Sequence, residues 1–182
     1  MEPKHNHMER KEIREITGYT FANQRSKQES WYYSAISFHE GASILAQHKD
    51  SIQGGTRVFL VNVALSLELL LKAIIVVKGE SAPPNHKLRS LADKAGVDFT
   101  ESQKATLELL EEIFKWSGRY PVPNKASDWD TYYDQIFERH VIRERVGNTS
   151  LTRSNPETFP SVENCDELWT ITNQRWAEIQ PH

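Results

Sequence analysis

The sequence predicts an all-α protein, an up-and-down bundle of four to five main helices plus a short one, and three observations lead there. Apolar residues recur at spacings of three and four over long segments. Glycine and proline total only 16 of 182 residues and fall mostly between those segments. The one stretch rich enough in β-branched residues to suggest a strand, Ile74–Val77, is four residues long, too short to carry a sheet. Leu, Ile, Val and Phe together make 43 of 182 residues, about 24%, above the ~20% below which chains tend to stay disordered.

Residues 1–22 read as a charged arm, helical near Met8–Ile16, and residues 23–182 as one domain. The first bundle helix spans about Arg25 to Lys49, with Trp31, Ala35, Phe38, Ala42, Leu45 and Ala46 at helical spacing, and Asp50–Gly55 supplies turn chemistry. The second runs from Arg57 to Lys78, with Thr56 as N-cap and Gly79 as the residue past its end. Sixteen of the twenty residues from Val58 to Val77 are apolar, a length that would span a bilayer. Glu68 and Lys72 lie well inside it, each costing ~2.5–3.5 kcal/mol at a bilayer centre, while their i,i+4 order is favourable in a soluble helix. The segment is therefore expected to be the spine of a core.

Pro83 and Pro84 cannot continue that helix, and Asn85 caps a short one from His86 to Gly96 that turns Leu88, Leu91 and Ala95 inward. Thr100 and Gln103 form a capping box for a fourth helix carrying Leu107, Leu110 and Phe114 before Gly118, and Pro121 and Pro123 enforce the break. Ser127-Asp128 opens a fifth, with Trp129, Tyr132, Tyr133, Ile136, Phe137, His140 and Val141 at helical spacing and Gly147 after its end. Residues 148–160 read as a polar loop, and a last helix from Ser161 to Ile179 sets Leu168, Trp169, Thr172 and Trp176 on one stripe.

A net charge of −3 and a pI near 6.2 argue against a uniformly cationic surface for nucleic acid or anionic membrane, and no membrane partner is expected. The single cysteine, Cys165, excludes an internal disulfide and fits a reducing, cytoplasmic setting; with Asp166 and Glu167 beside it, it is a poor nucleophile. No cofactor or metal is expected: His5 and His7 lie in the arm, His39 and His48 are nine apart, and no phosphate-loop or dinucleotide fingerprint occurs.

One ordered set of residues goes further. Glu68 and Lys72 sit in the apolar run Ala64–Ala73; His86-x-Leu88-x-x-Leu91 follows; Arg119-Tyr120-Pro121 comes after the next helix. From about Trp31 to Tyr133 the chain thus resembles the HEPN superfamily, the higher eukaryotes and prokaryotes nucleotide-binding helical domains. The resemblance implies a four- or five-helix bundle, a homodimer, and a place in prokaryotic defence or toxin–antitoxin systems beside a protein partner encoded nearby. Active members are metal-independent endoribonucleases whose hallmark is an Arg followed by four to six residues and a His. A histidine can act there as general acid or base toward the RNA 2′-hydroxyl or the leaving oxygen, and arginine stabilises the phosphorane charge.

Only Arg175 and His182 have that separation here, and they straddle Pro181, so they are the catalytic candidates. Arg139 and His140 are adjacent and project about 100° apart on a helix. Candidate binding residues for RNA or a nucleotide are His86, Arg119, Tyr120, Arg139, His140 and Arg143. Each also has a structural reading: His86 near a helix terminus, Arg119 bonded to loop carbonyls, Arg139 and Arg143 on a solvated face beside Glu138 and Glu144. Glu68 and Lys72 are expected to pair and fix helix register. Trp31, Tyr32, Tyr33, Trp129, Tyr132 and Tyr133 stack bases, fill the core or line a dimer interface. The leading functional reading is a noncatalytic recognition or scaffolding module for RNA, nucleotide or protein; the alternative is a metal-independent endoribonuclease with a noncanonical Arg/His site.

Overall fold

In the computed structural model, which describes residues 9–180, helix α4 (Gly55–Val77) organises everything else. Most of its length is buried, from Phe59 and Leu60 through Leu67, Leu70, Leu71, Ile74 and Ile75. Helices α3 (Gln28–His48), α5 (Leu88–Ala95), α6 (Glu101–Glu112) and α8 (Val162–Glu178) pack around it. The α3 face that meets α4 is built on small residues, Ala35 and Ala42, which let the two axes approach closely. Phe38, at the same helical spacing, stands at the surface instead. Among the described helices α4 alone is long and apolar enough to cross a membrane, and 72% of its most apolar window is buried within the protein.

Local chemistry fixes the ends. Gly79 past α4 has φ +81°, its N–H bonding Val76 O and that of Glu80 bonding Ile75 O, which satisfies the last carbonyls. Thr100 and Gln103 close both hydrogen bonds of the capping box on α6, and Ser161 Oγ accepts from Asn164 N–H at the start of α8. Cys165, Leu168, Thr172 and Trp176 of α8 enter the core, while Trp169 is half-buried and stacks on His39 with centroids 3.9 Å apart. At the N-terminus, α1 (Arg10–Ile16) and α2 (Phe21–Ser26) bury nothing.

Three expectations need correction. The N-cap of α4 is Gly54 rather than Thr56. The short helix α5 begins at Leu88; Asn85 Oδ1 accepts from Lys87 N–H in a turn ahead of it, so His86 precedes the helix instead of opening it. The third correction concerns residues 141–160. Helix α7 (Ala126–Arg139) stops before His140, and β1 (Val141–Val146) pairs antiparallel with β2 (Thr149–Ser154) where a helix end and a polar loop were expected. Gly147 (φ +62°) and Asn148 join them, the positive φ at the first central residue alone marking a type II′ turn. The fold is thus mainly helical with one small sheet. No residue of α7 is fully buried; it meets the bundle through α6 and through Trp116, which packs against Trp129 and Tyr132, and α7 with the hairpin forms a projecting arm.

Candidate functional site

Glu68 and Lys72, one turn apart on α4, are each 4% exposed, and Lys72 Nζ donates to Glu68 Oε1 at 2.6 Å. Two charges in a core persist only when their hydrogen bonds are satisfied. The second half of that requirement is met from outside the helix: His86 Nδ1 lies 3.0 and 2.9 Å from Oε1 and Oε2 of the same carboxylate. An ionised carboxylate only accepts, so Nδ1 carries the hydrogen and Nε2 is the open ring nitrogen. The His86 side chain is 54% exposed, which puts that nitrogen at the surface above a buried anchor. On the other side, Lys72 Nζ lies 5.9 Å from the centre of the Trp31 ring, a cation–π contact.

The third segment arrives through a local irregularity. After α6 the backbone widens into a π turn, Ile113–Ser117, closed by Gly118 N–H on Ile113 O at 2.7 Å. Such turns rotate the side chains that follow. A Cβ on Gly118 would sit 2.2 Å from Val61 Cγ2 on α4, so only glycine fits this approach. The turn buries Phe114 and presents Arg119 and Tyr120 at the surface. The Phe114 ring is 5.3 Å from the His86 ring and 5.1 Å from the Arg119 guanidinium, which also lies 5.6 Å from Tyr120. Arg119 Nη2 donates to Lys115 O at 2.6 Å, holding the fork in place while leaving further N–H groups open.

No family model, curated protein or solved structure matches this chain.

The remaining candidates lie elsewhere. Arg139 bonds Glu108, which also accepts from Arg89, tying α7 to α6 and to α5. His140 is 3% exposed, its Nδ1 donating to Thr158 O at 3.0 Å; burial pushes its pKa below the ordinary histidine value. It anchors the segment after the hairpin through this bond. Arg143 is exposed on β1, 5.8 Å from the Phe137 ring. Arg175 pairs with Glu178 and lies beside Gly96, at the end of α5 opposite His86. His182 lies outside the described residues, as do His5 and His7. Among the described residues no three His, Cys, Asp or Glu side chains gather as a metal site would require. Phe114, which joins His86 to Arg119, reads from the sequence only as a core residue; the signal available is its place four residues ahead of a glycine in a helix about to break.

Proposed function

We propose that the chain is a HEPN-like helical module that recognises RNA or a nucleotide by a phosphate contact at His86 and Arg119. The observation that carries this reading is the meeting of three segments far apart in sequence: Glu68 anchors His86, and His86 and Arg119 share Phe114. With Nε2 also protonated, the imidazolium held by Glu68, beside a guanidinium whose fork is partly free, can donate to two oxygens of a phosphodiester. The noncatalytic form of the reading is the stronger, because Arg139, His140 and Arg175 stand away from this cluster. The reading includes a homodimer, for which Phe137, Val146 and Leu151 on the projecting arm offer exposed apolar surface.

Fluorescence anisotropy with a labelled single-stranded 10-mer RNA tests it. Arg119→Ala and His86→Ala are expected to weaken binding, and Arg119→Ala to flatten the dependence on salt by about one phosphate contact. Binding equal to wild type in both variants counts against the site.

A second reading, a metal-independent endoribonuclease, is favoured by the Glu68–His86 pair alone. A carboxylate on Nδ1 fixes the tautomer in which Nε2 can take the 2′-hydroxyl proton as O2′ attacks phosphorus; the P–O5′ bond breaks, the 5′ oxygen gains a proton from water, and a 2′,3′-cyclic phosphate is left. Arg119 is then the group that stabilises charge on the nonbridging oxygens. RNA cleavage in EDTA that is lost in His86→Ala supports this reading; intact RNA at high protein concentration removes it.

A further inference from the structure

Beside Arg119, the π turn, the start of α4 and α7 enclose a cleft of about 380 Å³ whose walls include Trp116, Tyr120, Trp129, Tyr132 and Tyr133. The rings meet edge to face: Trp116 and Tyr132 at 4.8 Å and 73°, Tyr132 and Tyr133 at 5.4 Å and 82°. Each such contact occupies an edge of one ring and one face of its partner. Tyr132 is half-buried against the core, whereas Tyr120, Trp129 and Tyr133 are 55%, 36% and 41% exposed. Among the described residues, the only charged side chain lining the cleft is Arg57. Asp128 of α7 lines an adjoining groove with Glu112 and Lys115, which shares Trp116 and Tyr132 with the cleft.

Three properties select the occupant. The volume suits a small ring system and its attachment, and the exposed rings offer flat apolar faces. The charge at the wall is positive, which disfavours the quaternary ammonium groups that aromatic cages otherwise hold. Arg119, 5.6 Å from the Tyr120 ring, adds a second cation next to the cleft. A flat aromatic ring carrying negative charge satisfies all three, and an unpaired base on its phosphate is such a group.

We propose that this cleft stacks an unpaired nucleobase, with Arg57 and Arg119 taking the flanking phosphates. The inference rests on the phosphate reading of His86 and Arg119 and extends it to the base. The source of the base is either single-stranded RNA or a free nucleotide, and the test separates them.

The full-length protein is titrated with a 10-mer RNA, with an abasic 10-mer of equal charge, and with AMP, following anisotropy for the oligomers and tryptophan fluorescence for all three. The 10-mer is expected to bind about tenfold or more tightly than the abasic strand and to quench tryptophan emission. Trp129→Leu and Tyr133→Leu, both at partly exposed positions, are expected to bring the 10-mer down to the abasic level and leave the abasic strand unchanged. Quenching by the 10-mer alone assigns RNA; equal quenching by AMP assigns a free nucleotide. If base-bearing and abasic strands bind alike, or both variants bind as wild type while Arg119→Ala weakens binding, the base cleft is overturned and the phosphate site stands. If neither oligomer nor AMP binds, both fall together.

Discussion

His86 Nδ1 and the Glu68 carboxylate are joined at 2.9 and 3.0 Å, a bond between a side chain 54% exposed and one 5% exposed. It links the charge buried in α4 directly to the cluster around Phe114. The pairing means that substitutions at Glu68 act in two places at once, on the core through Lys72 and on the surface through the imidazole.

Glu68→Gln leaves Lys72 charged and buried with a weaker partner. Breaking a buried pair from one side costs ~3–5 kcal/mol, whereas replacing both members by apolar residues of similar size is often neutral or stabilising. Urea denaturation should therefore rank Glu68→Gln well below wild type and place the double variant Glu68→Leu/Lys72→Met close to it. A double variant no more stable than the single one would show that the pair contributes more than mutual compensation. His86→Ala should cost far less, because water reaches its side of the carboxylate.

Gly118→Ala tests how the surface cluster is held in position. The added methyl meets Val61 Cγ2 and the Ile113 carbonyl, so the π turn must move away from α4. Overpacking of this kind typically costs ~1–3 kcal/mol. The expected signature is loss of RNA binding beyond that of Arg119→Ala alone, since the change displaces Tyr120 and Trp116 along with Arg119.

Stability should depend on His140 below neutral pH. Burial is the main cause that lowers its pKa in the folded protein, with Arg139 adding to it, so the unfolded chain takes up a proton at a higher pH than the native one. The unfolded state then binds more protons as pH falls through the ordinary histidine value of 6.5, and stability falls with it. His39, also lowered mainly by burial, acts in the same direction. Thermal midpoints should drop between pH 7.5 and pH 5.5. Part of that slope should disappear in His140→Gln, whose amide can still donate to the Thr158 carbonyl.

The helices were legible because their information is local and repeated. Thr100 with Gln103, Gly79, Gly96 and the apolar run of α4 each state a boundary or a buried face in a few residues. The Glu68–Lys72 pair followed from spacing alone. The hairpin was hidden because neither strand buries a residue fully: Ile142, Glu144 and Val146 on one face and Arg143 with Arg145 on the other give no apolar alternation to detect. Gly147-Asn148 was the available signal, and it served equally well as the end of a helix. The site was half legible. Glu68, Lys72, His86 and Arg119 were marked by their order in the chain, but their convergence depends on a π turn at Phe114 that no periodicity announces.

The hairpin itself gives a separable test. Gly147→Val places a β-branched residue at φ +62°, a conformation that glycine alone adopts easily. The strands should open while the bundle stays intact, because neither strand buries a residue. Hydrogen exchange should therefore accelerate across residues 141–154 and remain slow through α4. Parallel loss of protection in α4 would mean that the arm contributes to global stability, contrary to its few contacts.

Cys165 offers a readout of that core from inside. It is 2% exposed, and burial, with Asp166 and Glu163 nearby, raises its thiol pKa far above the ordinary value. The reactive species is the thiolate, which is suppressed here both by its cost in an apolar site and by two neighbouring negative charges. Ellman's reagent at pH 8 should leave the native thiol unmodified over hours and react with one equivalent once urea unfolds the chain. Since Cys165 sits on α8 where it packs into the core, the rate of labelling in Glu68→Gln relative to wild type reports how far an unpaired Lys72 loosens the bundle. Rapid labelling of the wild-type protein without denaturant would show that α8 detaches from α4 readily, and that the core is held less firmly than its burial implies.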